Sequence, residues 1–328
     1  MSLNREYLRQ AGRSSLMGTG AARWLSPRAR RWFLLGTVGY SAAAGLVLGL
    51  LPVAWSGAGF AAIAVALMIV PFVAYDIMVS YLLLERRDRE GEMAVAARIQ
   101  AGLLPTALPE HPRWECAGRY RPARRVGGDY WEVLVLPDGR WLLVVADVSG
   151  KGVPAAILMA GLRTRLHLLA EQEPDPVRMA TRLNEAMAAE TQPTEFATAL
   201  LVLLDPATSD LTYVNAGHPP GLLLHADGTT TTLKARGIPL GMLSGSAYAA
   251  GTAAWQPGDR LLLYSDGVLD AAVDRQGPLA PEELAAALGS VASAEAGVLA
   301  DAVLAMVGAV AGDAGPEDDI SILACCFR

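Results

Sequence analysis

The sequence predicts an α+β protein in which two β-sheets pack on each other between outer layers of helices, preceded by a transmembrane hairpin. Short runs of strand-forming residues recur along the C-terminal two thirds of the chain, and runs with helical spacing of Leu, Met and Ala separate them. Packed sheets covered by helices satisfy this order of elements. The N-terminal third differs, because it carries two long apolar runs.

These apolar runs predict a two-span hairpin at residues 32–84, after a basic segment at residues 1–31. Residues 32–55 carry no charge over about 24 positions, which at about 1.5 Å per residue crosses a hydrocarbon core of about 30 Å. Residues 60–84 form the second run and contain one acid, Asp76, for which we favour a packing role over a functional one. The 52% hydrophobic content, high for a soluble protein, is concentrated here.

Arginines on both outer flanks orient the hairpin. The connecting turn has none, so the positive-inside rule places both termini in the cytoplasm, with the hairpin in the lipid of a bacterial inner membrane. The flanking residues are Arg23, Arg28, Arg30 and Arg31 before the hairpin and Arg86, Arg87 and Arg89 after it. A cleaved signal peptide is the alternative for the first run, but a second run follows directly and the apolar core exceeds the usual length of about 7–15 residues.

A helical linker is predicted at residues 85–105. Met93, Ile99, Gln100 and Leu103 belong to an apolar stripe near helical spacing, and Pro105 ends the run. Such a stripe needs a partner. Periodicity leaves two interpretations open: the helix at residues 85–104 pairs with a second copy in a homodimer, or it packs on its own domain.

The remaining residues, 106–328, are predicted to form one large domain. Strands are expected at 114–120, 130–136, 141–146, 197–204, 211–214, 221–224, 260–265 and 320–326, and helices at 153–172, 176–190, 282–288 and 298–310. Pro-Asp-Gly at 137–139 predicts a hairpin turn between the second and third strands.

Acidic residues stand where apolar strands begin or end, at Asp129, Asp147, Asp266 and the Asp318-Asp319 pair. Buried carboxylates are costly and repel one another, so raised pKa values or a bound hard cation must compensate. Oxygen ligands suit Mg²⁺ or Mn²⁺, and two such ions about 3.5–4 Å apart form a phosphoryl-transfer site. The four histidines and three cysteines have no zinc-ligand spacing. The sequence therefore predicts a site for Mn²⁺ or Mg²⁺ cofactors, and two such ions would suit phosphoryl transfer.

Several other functions are disfavoured. The net charge is −6 and no basic-aromatic patch recurs in the C-terminal region, which argues against nucleic acid as a partner. The stretch Ser149-Gly-Lys151-Gly lacks the upstream glycine and the following Ser or Thr of a phosphate-binding P-loop. No Gly-x-Ser-x-Gly motif frames Ser149 or Ser265. His218 is interpreted as a residue that fixes its loop, because a carboxylate site needs no histidine nucleophile.

An ordered series of motifs resembles the SpoIIE/RsbU-type branch of the metal-dependent (PPM) serine/threonine protein phosphatases. The motifs are Val126-Gly-Gly-Asp129-Tyr130, Ala146-Asp-Val-Ser-Gly-Lys-Gly152, Phe196-Ala-Thr-Ala199, Asn215-Ala-Gly-His-Pro-Pro220, Gly237-Ile-Pro-Leu-Gly241, Pro257 to Gly267 and Asp318-Asp-Ile-Ser321. The resemblance spans roughly residues 93–328. It implies an α-β-β-α sandwich with a two-metal centre and hydrolysis of phosphoserine or phosphothreonine on a protein partner, typically a STAS-type anti-sigma-factor antagonist. It also implies a linker helix that dimerises.

Carried over by position, the resemblance implies specific ligands. Those expected to hold the metals are the carboxylates of Asp129, Asp147, Asp266 and Asp318 and the main-chain carbonyl of Val148. Asp319 follows the last of these, and the choice between Asp318 and Asp319 stays open. Glu132 is placed outside the ligand set.

Candidate contacts to the substrate phosphate come from the glycine-rich loops and the basic residues before Asp129. They are Arg124, Arg125, Gly128 and Gly150. The expected activity is that of a phosphatase in which a metal-activated water attacks phosphorus. The alternative is a membrane-tethered interaction module that has kept the sandwich and lost catalysis.

Overall fold

The computed structural model describes residues 58–192, 194–208, 210–234, 236–271, 278–289, 295–311 and 318–328. The chain divides into two compact units, Met1–Glu92 and Met93–Arg328. The basic segment at 1–31 and the predicted span at 32–55 lie outside the described residues. The predicted second span and residues 85–101 of the predicted linker lie on one continuous helix, α1, at Ala58–Ala101, and residues 102–105 follow its end.

Among the residues that the structure describes, one helix is long and apolar enough to cross a membrane by length and composition, Val153–Gln172. Met159, Leu162 and Leu166 of this helix are buried in the core of the second unit. A helix that packs on its own domain passes the same test of length and apolarity. The two-span hairpin therefore stays a prediction.

The second unit contains ten strands and five helices among its described residues, besides the end of α1. The strands are β1 Trp114–Arg121, β2 Tyr130–Val135, β3 Trp141–Val148, β4 Ala197–Leu204, β5 Asp210–Ala216, β6 Gly221–Leu224, β7 Thr230–Leu233, β8 Gly251–Ala254, β9 Arg260–Tyr264 and β10 Ile320–Phe327. The helices are α2 Val153–Gln172, α3 Pro176–Glu190, α4 Gly267–Asp270, α5 Pro281–Gly289 and α6 Ala296–Ala311.

The strands form two five-stranded antiparallel sheets. One sheet has the order β1-β10-β9-β6-β7, and the other has the order β2-β3-β4-β5-β8. Strands β1 and β10 pair from Trp114 opposite Phe327 to Arg121 opposite Ile320, so the first and last strands of the unit lie side by side. The β2–β3 hairpin turns at the predicted Pro-Asp-Gly, where Gly139 has a φ of +84°.

Three apolar layers hold the sandwich together. Helices α2 and α3 pack on the β2-β3-β4-β5 sheet, as Met159, Leu183 and Val214 illustrate. Between the sheets lie residues such as Trp255 and Leu200. Helices α5 and α6 cover the outer face of the other sheet. The predicted α+β arrangement of two sheets between outer helices is confirmed.

Three elements were not predicted from the sequence. Strand β7 is Thr230–Leu233, three threonines and a leucine, and it lies at a sheet edge where apolar alternation is not required. Strand β8, Gly251–Ala254, is also an edge strand of small residues. Helix α4 is one short turn after Asp266. Strand β3 runs two residues beyond its predicted end and therefore includes Asp147 and Val148.

Some residues of the linker stripe pack on their own domain, and others are exposed to solvent. Leu103 and Leu104 pack against the core, and Gln100 is only 3% exposed. Ile99, in contrast, is 60% exposed, and Val95 is also exposed. The interpretation that the helix packs on its own domain is therefore correct for its C-terminal end, and the exposed residues leave dimerisation as a prediction.

Candidate metal centre

The acidic residues gather at one end of the two sheets. Asp129 immediately precedes β2 and Asp147 lies near the end of β3, its antiparallel neighbour. Asp266 follows β9, and Asp318 lies just before β10, which pairs with β9. Because these neighbours are antiparallel, the end of one strand lies beside the start of the next. Each sheet thus brings two carboxylates to the same edge of the sandwich, which is formed by the ends of these strands and not by an edge strand.

Burial and mutual repulsion perturb these carboxylates. Asp129 is 1% exposed, and burial, followed by the charge of Asp147, raises its pKa well above the usual value. Burial and then the charges of Asp266 and Asp318 raise the pKa of Asp147 to about 7. The pKa of Asp266 is raised by burial first and by Asp318 second. The acids therefore form one electrostatically coupled group that a cation would stabilise.

One oxygen of this group has no hydrogen-bond partner. The Oδ2 atom of Asp129 is buried and makes no hydrogen bond within the described residues. The nearby hydroxyls of Ser265 and Ser321 partly offset the rise in the pKa of Asp129. A buried, unpaired carboxylate oxygen costs several kcal/mol unless another ligand satisfies it. Asp129 therefore has the environment expected of a metal ligand.

The neighbouring acids Asp318 and Asp319 have different surroundings. Asp319 is buried, and its Oδ1 and Oδ2 atoms accept the N–H groups of Ala123 and Gly128, each at 2.8 Å. The side chain of Asp318 is 37% exposed, and its Oδ2 atom accepts a hydrogen bond from Lys151 Nζ at 2.7 Å. Asp319 thus fixes the loop before Asp129, and Asp318 faces the edge where the other carboxylates meet.

Two glycines allow this loop to lie directly on the acid cluster. A Cβ atom on Gly128 would lie 2.6 Å from the Val148 carbonyl oxygen and 3.4 Å from Asp147 Oδ1. A Cβ atom on Gly127 would collide with the Asp319 carboxylate and the Tyr120 hydroxyl. Any side chain at either position would displace the groups predicted to be ligands.

These groups fit a hard divalent cation in chemistry. Across the described ranges, no set of three or more His, Cys, Asp or Glu side chains is arranged so that it could hold a metal ion as it stands. The donors at the edge are nevertheless all oxygen atoms, one of them buried and unpaired, which is the type that Mg²⁺ and Mn²⁺ prefer.

The predicted substrate contacts differ in position. Arg124 and Arg125 are exposed on the loop before Asp129, and the charge of Arg124 acts on Lys151 at the acid cluster. Gly150 is exposed with a φ of +94°. Gly128 is buried and donates its N–H to Asp319, and its contact with a substrate stays a prediction.

Glu132 lies in a separate buried cluster. Its carboxylate accepts a hydrogen bond from Arg163 Nη2 at 3.1 Å and lies 2.7 Å from His167 Nε2. The Tyr130 hydroxyl donates to it as well. These contacts join β2 to α2 on the outer face of the sheet, which agrees with the placement of Glu132 outside the ligand set.

Gln100 is a residue of the site that sequence reasoning missed. Its Nε2 atom donates to the Gly127 carbonyl at 2.5 Å, and its Oε1 atom accepts the Gly127 N–H at 3.0 Å. The end of helix α1 therefore holds the main chain next to Gly128 and Asp129. The signal in the sequence was a polar amide within an apolar stripe, which is expensive to bury without a partner.

A family model matches a region that contains most of the acids of the site. The model is described as Stage II sporulation protein E (SpoIIE), and it matches residues 137–328, which is more than half of the chain.

Two curated proteins each align with just over half of the chain. Protein IcfG of Synechocystis sp. is 30% identical over 207 residues, covering 55% of this chain and 33% of that protein. The phosphoserine phosphatase RsbU of Bacillus subtilis is 28% identical over 186 residues, covering 56% of this chain and 55% of that protein. The chain thus spans about half or less of the length of these relatives.

Solved structures share the fold. The structure of the RsbU and RsbW domains of Rv1364c from Mycobacterium tuberculosis is 29% identical, with a TM-score of 0.59, and covers 69% of this chain and 63% of that one. The SiaA-PP2C domain of Pseudomonas aeruginosa is 24% identical, with a TM-score of 0.65, and covers 74% of this chain and 99% of that one.

A third structure contains metal ions. The catalytic domain of the serine/threonine phosphatase PstP, solved with two manganese ions, is 20% identical, with a TM-score of 0.50, and covers 65% of this chain and 98% of that one. At this identity the match supports the PP2C-type fold alone. Together with the family model, which covers eight of the ten strands and most of the acids of the site, these findings establish that the chain belongs to the SpoIIE (Stage II sporulation protein E) family.

Proposed function

We propose that this protein is a membrane-anchored, metal-dependent phosphatase that removes phosphate from serine or threonine of a regulatory protein. The observation that carries the proposal is the group of mutually repelling carboxylates at one edge of the sandwich, in which the buried Oδ2 atom of Asp129 has no hydrogen-bond partner among the described residues. The relative RsbU is a phosphoserine phosphatase, and the PstP structure contains two manganese ions. Both support metal-dependent phosphatase activity for this chain.

The proposed ligands come from both sheets. Asp129, Asp147 and the Val148 carbonyl would hold the metals from one side, and Asp266 and Asp318 from the other. When bound, two Mn²⁺ or Mg²⁺ ions supply Lewis acidity, which activates water and neutralises charge on the phosphoryl oxygens. The aspartates act by position and charge and form no covalent intermediate.

Cationic side chains at the edge would orient the substrate phosphate. Lys151 lies beside Asp318, and Arg124 is exposed near enough for its charge to affect Lys151. A guanidinium can hold two phosphate oxygens at once, whereas an ammonium acts as a point charge. Arg125 is also exposed on the same loop. We assign to Arg124 and Arg125 the contact to phosphate and to Lys151 a charge that assists it.

The substrate is proposed to be a phosphorylated STAS-type anti-sigma-factor antagonist. This rests on the family and on the relationship to RsbU. Incubation with phosphorylated STAS proteins encoded in the same genome tests it by mass spectrometry. Loss of one phosphate from one of them is the expected result, and dephosphorylation of peptides alone, with every STAS protein untouched, would exclude this substrate class.

Membrane anchoring is proposed from the arginine-flanked apolar runs at 32–55 and 60–84. Reporter fusions test the topology. A reporter active in the cytoplasm is expected to work at both termini, and one active outside is expected to work only near residues 57–59. Outside activity of a fusion at Arg328 would contradict the proposed orientation.

Association through residues 85–104 is proposed from the exposed apolar residues of the linker, Val95 and Ile99. The contact of Gln100 with Gly127 gives such association a route to the acid cluster, because the same helix end holds the loop before Asp129. A silent interaction module is the less favoured function, since every carboxylate of the predicted site is present and electrostatically coupled.

The activity is tested with the full-length protein in detergent, Mn²⁺ or Mg²⁺, and a small aryl phosphate. Hydrolysis is expected to depend on the metal and to fall at least about 100-fold in Asp147→Asn, since a lost ligand changes the charge that holds the ions. Asp301→Asn is the control, because Asp301 is an exposed partner of Arg119. Folded wild-type protein that is inactive with either ion would refute the proposal.

A further inference from the structure

His218 connects the two sheets at the end where the acids meet. It is buried in the loop between β5 and β6, and its imidazole has one partner in each sheet. The Nδ1 atom lies 2.8 Å from Thr198 Oγ1 on β4. The Nε2 atom lies 3.1 Å from the main-chain oxygen of Tyr264, the last residue of β9.

Each partner is adjacent to a proposed metal ligand. Thr198 is the cross-strand partner of Asp147 in the β3–β4 pairing, so the two side chains leave the same face of the sheet as neighbours. Tyr264 is two residues before Asp266. A single ring therefore spans from the strand beside Asp147 to the strand that leads to Asp266.

The chemistry of the two partners determines which ring nitrogen of His218 carries the proton. A main-chain carbonyl only accepts hydrogen bonds, so Nε2 must carry the proton and donate to Tyr264. Nδ1 then accepts a hydrogen bond from the hydroxyl group of Thr198. Burial lowers the pKa of His218 to about 3, so the imidazole is neutral near pH 7 and keeps this tautomer.

The surrounding loop holds the ring in place. The main-chain N–H of His218 donates to Asn215 Oδ1 at 2.8 Å, and Asn215 Nδ2 donates to the Leu233 carbonyl at 3.1 Å. Gly217 has a φ of +73° and lies against Pro239. A Cβ atom on Gly217 would come within 2.7 Å of the proline ring. This loop therefore has little freedom to move the imidazole.

We propose that His218, with Thr198, is a positioning residue that sets the separation between Asp147 on one sheet and Asp266 on the other. The proposal rests on the proposed function, because it concerns how the metal ligands of that site are held. Asp147 and Asp266 repel each other, so without a fixed spacer the two strand ends would relax apart and the ligands would lose their spacing. Both ring nitrogens of His218 are engaged by Thr198 and Tyr264, so we assign it no direct contact with metal or substrate.

The decisive variants remove or keep the Thr198 hydroxyl. Thr198→Val preserves the shape and removes the donor to His218, whereas Thr198→Ser keeps the donor. The chain also provides a matched control, since Thr231 Oγ1 makes the same kind of contact with His225 Nε2 at 2.9 Å, on edge strand β7. Thr231→Val thus removes an equivalent hydrogen bond away from the acids. His218→Gln is a second, independent variant.

Mn²⁺ binding to the full-length protein is measured by isothermal titration calorimetry, and the KM and kcat for an aryl phosphate are measured at saturating Mn²⁺. Thr198→Val and His218→Gln are expected to weaken Mn²⁺ binding by about tenfold or more, as is typical when a group that supports a metal ligand is lost. Thr198→Ser and Thr231→Val should bind as the wild type does. The KM of Thr198→Val should stay unchanged once the metal is saturating.

The outcomes separate this inference from the proposed function. Wild-type protein that binds Mn²⁺ and hydrolyses the aryl phosphate, with Thr198→Val binding Mn²⁺ within about twofold of Thr231→Val, would overturn the role of His218 and Thr198 alone. Wild-type protein that binds no Mn²⁺ would overturn both. Equal weakening in Thr198→Ser and Thr198→Val would also contradict the inference, because the hydroxyl would then have no specific effect.

Discussion

Replacing Gln100 by methionine is expected to loosen the loop that precedes Asp129. The two side chains are similar in length, and methionine is also a good helix former, so the change removes mainly the amide. It leaves the N–H and the carbonyl of Gly127 without their observed partners in a buried place. Two lost hydrogen bonds at about 1 kcal/mol each, plus the cost of unpaired groups, lower the free energy of unfolding by about 2–3 kcal/mol.

Thermal unfolding of the purified protein measures this effect. For a domain of this size, the expected loss corresponds to a fall of roughly 5–10 °C in the unfolding midpoint. The Mn²⁺ concentration for half-maximal activity should rise too, because Gly127 belongs to the same loop as Gly128 and the proposed metal ligand Asp129. Arg98→Ala is the control, because Arg98 is an exposed residue of the same helix. A Gln100→Met midpoint within about 1 °C of this control would refute the reasoning.

Three further predictions follow from the same loop and helix. Asp319→Asn should reduce activity less than Asp147→Asn, since Asp319 binds two main-chain N–H groups and an amide can still accept one; equal losses in kinetic assays would make Asp319 a ligand. Gly128→Ala should weaken Mn²⁺ binding in calorimetry, because its Cβ would press on the Val148 carbonyl; binding equal to wild type would exclude that close approach. Ile99→Asp should weaken self-association in analytical ultracentrifugation, and an unchanged mass would exclude this surface as an interface.

Much of the sandwich could be predicted from the sequence because its signals are local. Apolar runs such as those of β3, β4 and β10 alternate with helices whose buried residues have regular spacing. The threonine-rich β7 lacked such a signal, since an edge strand needs little apolar surface. The end of β3 was missed because Asp147 does not look like a strand residue, although the pairs Asp147–Thr198 and Val148–Ala197 extend the ladder.

The membrane and linker predictions show a second limit of local patterns. Apolarity predicted separate elements at 60–84 and 85–105, yet the chain from Ala58 to Ala101 is one helix. Periodicity also could not assign the partner of the linker stripe. The contact of Leu103 and Leu104 with the core depends on where the chain returns, which spacing along one helix does not encode.

The sequence predicted which acids would lie close together in the candidate site, but it did not distinguish their surroundings. Asp318 and Asp319 are adjacent and chemically identical, and only contacts with residues far away in the chain distinguish them: Lys151 for the first, Ala123 and Gly128 for the second. The partners of Gln100 and His218 are likewise distant in sequence. Such contacts arise from the fold as a whole, so no local pattern predicts them.

The position of bound metal tests the central claim most directly. Crystals of the protein grown with Mn²⁺ would give anomalous scattering that locates each ion. We predict two ions at the edge where the sheets meet, contacted by Asp129 and Asp147 from one sheet and by Asp266 and Asp318 from the other. Manganese peaks elsewhere on the protein, with these four carboxylates free of metal, would contradict the account.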